Sequence, residues 1–173
     1  SNSGQYGWFT AMAAPDLVKA VVAYEPGAFV FPEGERPDDI PAKAETVDFH
    51  MAPRMVPLKE FQKLTKAPIL IIYGDNISAE PSEVFNVDVW RIASARAGQF
   101  VQAVNRHGGD ATLVMLPEIG ITGNTHAPLA DLNNQEIAEH MEAWLKSKNL
   151  DGSGTPHVGP SPLKLEKVTI PLK

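Results

Sequence analysis

Pro68-Ile69-Leu70-Ile71-Ile72-Tyr73, followed by Gly74-Asp75-Asn76, reads as a strand with a sharp stop. The aliphatic run shows no alternation of polar and apolar residues, so neither face is left for water. Such a run suits an interior strand of a parallel sheet, which is covered on both sides. Working outward, residues 18–24 form a second, β-branched run that closes on Glu25-Pro26-Gly27, and residues 111–116 form a third. Between the later two runs, residues 90–107 place apolar side chains at helical spacing and end on Gly108-Gly109, a helix stop. Residues 4–14 read as a helix ended by Pro15-Asp16. Residues 134–149 read as an amphipathic helix with Ile137, Met141, Trp144 and Leu145 on one face. Strands alternating with helices predict an α/β fold, a parallel sheet flanked by helices.

Two stretches show no such period. Residues 28–58 are rich in Pro, Asp and Glu, and a loop that long inside a compact domain is expected to be a cap or binding insert. Residues 151–173 hold four prolines and read as an extended tail. The expected organisation is therefore one α/β domain over residues 1–150, with the cap-like loop 28–58, and a tail over 151–173.

The chain has 173 residues and a formal net charge of -6, with its basic residues scattered. Nothing in it would neutralise a run of phosphates, so nucleic acid is not an expected partner. There is no polybasic cluster for an anionic membrane, and no apolar run approaches the roughly 20 residues of a bilayer span. Cysteine is absent, which excludes disulfides, thiolate metal sites and a Cys nucleophile. Neither a metal nor a cofactor is called for.

In parallel sheets reactive groups gather beyond the carboxyl ends of the strands. That rule selects Glu25-Pro26-Gly27, Gly74-Asp75-Asn76 and the segment after Leu116, which contains Gly123-Asn124-Thr125-His126. His126 stands in a Gly-rich loop leaving a strand, where it faces a site; the alternative is a solvated loop histidine. His107 sits at a helix end, where the dipole accounts for it. His50, His140 and His157 carry no comparable signal.

A nucleophile elbow needs small residues two before and two after the serine. Ser3 is followed two later by Gln5, whereas Ser1 is followed by Ser3, so Ser1 is the better nucleophile; the alternative is an unstructured terminus. A helix starting just after Ser1 would aim backbone N–H groups at an oxyanion, that of Asn2 among them. For the acid that orients the imidazole, Glu25 and Asp75 are both candidates, with Glu118 a weaker one.

Taken in order, Ser1-Asn2-Ser3-Gly4, Ala23-Tyr24-Glu25-Pro26-Gly27, Tyr73-Gly74-Asp75, Leu116-Pro117-Glu118-Ile119-Gly120, Gly123-Asn124-Thr125-His126 and Asp131-Leu132-Asn133-Asn134 resemble the second half of a branch of bacterial, often exported, serine esterases of the α/β-hydrolase superfamily. The resemblance covers roughly residues 1–148. It implies Ser1 as nucleophile, His126 as base and, because this branch carries its acid after the sixth strand in a Glu-Pro-Gly, Glu25 as acid, with Asp75 as the alternative. It implies export or secretion, and an N-terminal half of the fold supplied by a separate or cleaved chain, since the strands before the nucleophile and the second oxyanion donor are not in this sequence. A break directly before Ser1 would suit self-cleavage by its hydroxyl, or a modification at that position.

The expected reaction is hydrolysis of a small-molecule carboxylic ester through an acyl-enzyme. Phe29, Phe31 and Trp90 are candidates for the apolar pocket lining, with core packing as the equal alternative. Two other readings stand beside it. Ser1 with a free α-amine would serve as its own base in an N-terminal-serine amidase, or the chain would be a non-catalytic binding module on a hydrolase scaffold. Substrate identity and oligomeric state, including a homo-oligomer of the assembled unit, stay open.

Overall fold

The computed structural model describes residues 3–152, apart from the side chains of Phe49 and His50. Along the chain come α1 (Gly4–Ala13), β1 (Val21–Tyr24), β2 (Val30–Pro32), α2 (Val47–His50), β3 (Arg54–Val56), α3 (Leu58–Phe61), β4 (Ile69–Tyr73), α4 (Phe85–Arg106), β5 (Ala111–Met115) and α5 (Asn134–Ser147). The main sheet has the order β1-β4-β5, all parallel. All five β4 residues are buried, because the strand is central and covered on both faces. Its side chains divide by parity. Ile69, Ile71 and Tyr73 join one core with Trp8 and Met12 of α1 and Ile92, Ala93, Ala97 and Phe100 of α4. Leu70 and Ile72 join the other, with Leu116, Ile121, and Ile137 and Trp144 of α5. The fold is thus the mixed α/β arrangement expected, a parallel sheet with helices on both faces.

Segment 28–58 departs from its reading as a loop without regular structure. β2 and β3 pair in parallel, Val30 opposite Arg54 and Pro32 opposite Val56, and form a second, two-stranded sheet. Strands of three residues are too short for a period to register in sequence, and their pairing is settled by burial. Phe29 and Phe31 are 3% and 1% exposed and pack on Phe100, at centroid separations of 5.4 and 6.2 Å. Trp8 reaches the same ring at 4.8 Å, and its indole N–H donates to the Ala28 carbonyl. One aromatic cluster therefore joins α1, segment 28–58 and α4.

Boundaries shift where local pattern misleads. β1 starts at Val21, not at residue 18. α4 starts at Phe85, five residues before the periodic signal, because its first turn inverts the usual pattern: Phe85 and Val87 are exposed while Asp88 is buried. α5 ends at Ser147, within the ordinary fraying of a helix end. Of the predicted tail, residues 153–173 lie outside the described residues. No helix among the described residues is long and apolar enough to cross a membrane.

Asp88 explains its own burial. Its Oδ2 accepts the Lys43 and Ala44 backbone N–H groups at 2.6 and 3.1 Å, and its Oδ1 accepts the Ser82 N–H and the Arg91 Nε–H. Arg91 also donates to the Pro41 carbonyl at 2.7 Å. Burial alone would raise this carboxyl's pKa, but the Arg91 guanidinium and the three backbone donors hold it well below the usual carboxylate range. A depressed folded-state pKa gives stability that is fully present above the unfolded value near pH 4 and is lost as pH falls below it. Asp88→Ala should destabilise the chain by roughly 3 kcal/mol, since it leaves a partly buried guanidinium and three backbone N–H donors without this acceptor. Urea unfolding checks this at pH 7, and at pH 3 the gap between wild type and variant should narrow.

Candidate active site

The parallel register brings three strand ends to one edge of the sheet. Tyr24 lies opposite Ile72 and Tyr73 opposite Met115, so Glu25, Gly74 and the segment after Leu116 leave the sheet side by side. Glu25 still extends the ladder, its N–H donating to the Ile72 carbonyl at 2.8 Å. Its φ is 43°, in the left-handed region that costs a residue with a Cβ roughly 1–2 kcal/mol. Strain of this kind persists only where surrounding contacts hold it, and those contacts are visible. The Tyr73 hydroxyl donates to the Pro26 carbonyl at 2.5 Å. Burial, and then the negative charge of Glu25, push that phenol well above its ordinary pKa, so it stays a donor. The first residue of α1 closes in from the other side: a Cβ on Gly4 would stand 2.5 Å from the Pro26 Cβ. The helix start therefore abuts the Glu-Pro-Gly turn.

Glu25 is 2% exposed. A buried carboxylate needs donors on both oxygens. Oε1 accepts the Gly74 N–H at 2.8 Å, and Oε2 meets His126 Nδ1 at 2.5 Å. An ionised carboxylate only accepts, so this contact calls for a proton on Nδ1 and leaves Nε2 for another partner. The imidazole is 44% exposed, bound at one edge and open at the other. The Trp90 ring of α4 rests against it, centroids 4.3 Å apart and planes tilted by 44°. A half-exposed imidazole backed by a buried carboxylate can serve chemically as a general base.

The loop carrying His126 has no regular structure, and polar contacts hold it. Gly120 and Gly123 turn it at φ of 83° and 88°. Asp75 Oδ2 accepts the Gly123 N–H at 2.6 Å. Asp131 accepts the Thr125 N–H and hydroxyl, and Asn124, fully buried, exchanges hydrogen bonds with Asn133. Gly74 leaves room for this packing: a Cβ there would lie 3.0 Å from the Thr125 carbonyl and 3.1 Å from Glu25 Oε1.

Of the residues singled out in the sequence, Glu25 and His126 meet. Asp75 braces the loop through Gly123 and does not bond the imidazole; its Oδ1 is buried without a hydrogen bond. Glu118 is exposed in the 3-10 turn after β5. Trp90 touches His126, whereas Phe29 and Phe31 fill the core. His107 bonds Glu35 and packs on Phe61, and His140 lies half-buried on α5. Ser1, Asn2 and His157 lie outside the described residues, as does the His50 side chain. Ser3 is exposed and makes no side-chain cap bond to α1. Tyr73, Asn124, Asp131 and Asn133 received no individual role from the sequence. The one available signal for the last three was the density of Asn and Asp around a single histidine. Gly74→Ala should push the Thr125 carbonyl and the Glu25 carboxylate apart, lowering the melting temperature and displacing the imidazole. A thermal scan, with the low-field proton signal of the imidazole Nδ1–H, measures both.

No protein family's sequence profile matches the chain. It is 27% identical over 170 residues to a probable secreted lipase, phiG, of Fungal sp. (strain ATCC 74256), an alignment covering 86% of this chain and 44% of that protein. Its fold is similar to that of a novel bacterial esterase, with a TM-score of 0.60 and 26% identity over 86% of this chain and 36% of the other. The chain spans less than half the length of either protein. In sequence it is thus similar to part of a probable lipase, and in fold to part of an esterase.

Proposed function

We propose that this chain carries the acid–base part of a serine esterase site and cleaves carboxylic esters through an acyl-enzyme. Glu25 orients and stabilises the imidazole, His126 is the base and Ser1 the nucleophile. The observation that carries this reading is the 2.5 Å contact between a buried carboxylate and a half-exposed imidazole. Its support from outside the chain is the likeness to a lipase and an esterase. The abutment of Gly4, the first residue of α1, on Pro26 beside Glu25 supports a nucleophile near the start of that helix.

The chemistry follows from that pairing. Ser1 Oγ attacks the ester carbonyl carbon while His126 Nε2 takes its proton. The oxygen that gains the negative charge accepts the Asn2 N–H. Collapse breaks the carbonyl–alkoxy bond, and the leaving alcohol takes the proton from the imidazolium. Water then attacks the acyl-enzyme with the same base, releasing the acid and restoring Ser1. Throughout, Glu25 fixes the tautomer and offsets the positive charge on the ring.

A catalytic assembly of this kind includes further strands. β1 pairs with β4 on one side, and its other side is a sheet edge among the described residues. We assign that edge to a companion segment, as a separate chain or as part of a longer one, which also supplies the second oxyanion donor. Export is the proposed destination, in line with the secreted lipase it resembles.

Turnover of an aryl ester such as p-nitrophenyl acetate by the native assembly tests the assignment. Ser1→Ala, His126→Ala and Glu25→Gln should each lower kcat by about 10³–10⁴-fold, and a fluorophosphonate should label Ser1. Activity retained in His126→Ala would replace this mechanism with one in which the α-amine of Ser1 is the base. A wild-type protein that neither labels nor turns over ester would be a binding module.

A further inference from the structure

We propose that Asp131 is a positioning residue for His126, setting the orientation in which the imidazole meets Glu25. The inference rests on the reading of His126 as the base. The segment 122–126 lies in no helix or strand, so its geometry depends on side chains that reach it. Asp131 reaches it most directly. Its Oδ2 accepts the Thr125 N–H at 2.7 Å and the Asn124 Nδ2–H at 3.2 Å, and its Oδ1 accepts the Thr125 hydroxyl at 2.9 Å. That hydroxyl in turn accepts the Ala127 N–H at 3.1 Å. The backbone on both sides of His126 is thus held by one carboxylate, directly at Thr125 and through one hydroxyl at Ala127.

The bonds at Asp131 are charge-assisted and stronger than neutral ones. The Thr125 N–H leads in holding the Asp131 carboxyl below its usual pKa, so it is ionised across the neutral range. The other end of the loop is held mainly by Asn133. Asn133 Nδ2 donates to the Thr122 carbonyl and to Asn124 Oδ1, and Asn124 Nδ2 donates back to Asn133 Oδ1. Asn124 is 0% exposed, so this amide pair anchors the loop in the protein while Asp131 governs the two peptide units around the histidine. The same residue serves α5, its backbone carbonyl accepting the Asn134 N–H at 3.1 Å. A purely structural role would be confined to that turn and to overall stability.

Asp131→Ala in the full-length protein separates the two roles. Its expected effect is a kcat lowered by about 10- to 100-fold, the scale of a misplacement near 1 Å, with KM within about twofold of wild type. The low-field Nδ1–H resonance of His126 should shift or broaden. Thr125→Val is the second variant, which keeps the N–H bond to Asp131 and removes the hydroxyl relay. It should move the resonance in the same direction by less, and it carries the test if Asp131→Ala does not fold. A lowered melting temperature with kcat and the resonance unchanged would overturn the proposal. If the resonance moves in a protein that hydrolyses no ester even as wild type, the positioning role stands and the esterase reading falls.

Discussion

A carboxylate sealed from water must be surrounded by donors, and Glu25 is the point from which that requirement spreads through the sheet end. Its two oxygens are engaged by the Gly74 backbone and the His126 ring. Satisfying them demands that β1 end level with β4, that Gly74 lack a Cβ, and that the loop after β5 fold back to the same point. The parallel register supplies the first condition. The close approach at Gly74 supplies the second. The backbone at Glu25 is strained, and the Tyr73 hydroxyl and the crowding of Gly4 on Pro26 hold the turn in place. The core below the site, above all the fully buried β4, gives these contacts a rigid base.

Three carboxylates serve this one edge, and their partners separate their tasks. Glu25 faces a titratable ring. Asp75 and Asp131 face backbone N–H groups of the loop that carries the ring. A carboxylate bonded to backbone amides fixes a chain path, whereas one bonded to an imidazole fixes a tautomer and can offset a developing cation. Sequence position alone does not distinguish these tasks, because both acids stand just past a strand end, Glu25 by one residue and Asp75 by two. The neighbour that each carboxylate reaches distinguishes them.

That difference marks what the sequence makes legible and what it does not. The three strands of the main sheet, their carboxyl ends and the histidine loop are readable because each rests on a local signal: an unbroken aliphatic run, a Gly stop, a His among glycines. The α/β architecture follows from their alternation with helices. The pairing of β2 with β3 was not readable, since three-residue strands carry no period and β2 is placed by Phe29 and Phe31 packing on Phe100. Nor was the start of α4, where Asp88 is buried against the amphipathic pattern by donors from residues 43, 44 and 82. Asp131 escaped for the same reason as Asp88. Both are short acids whose partners are backbone groups of a neighbouring segment, and backbone N–H groups leave no trace in residue identity.

α4 joins these two kinds of information. Its first turns present Asp88 to segment 28–58 and Trp90 to His126, two residues apart on one helix. Further along, Phe100 gathers the aromatic side chains of α1, segment 28–58 and α3. At its end Arg106 and His107 take up Glu35, whose carboxyl their hydrogen bonds hold below its ordinary pKa. Segment 28–58 is therefore attached to α4 at several points along its length, Arg96 and Gln99 adding bonds to the Asp38 carbonyl, and the imidazole is packed against the same helix. A closely packed helix moves as a unit. Displacing that segment without disturbing the wall beside His126 would require breaking buried polar contacts at Asp88. The wall beside the imidazole is thus tied, through Trp90, to the packing of one 22-residue helix.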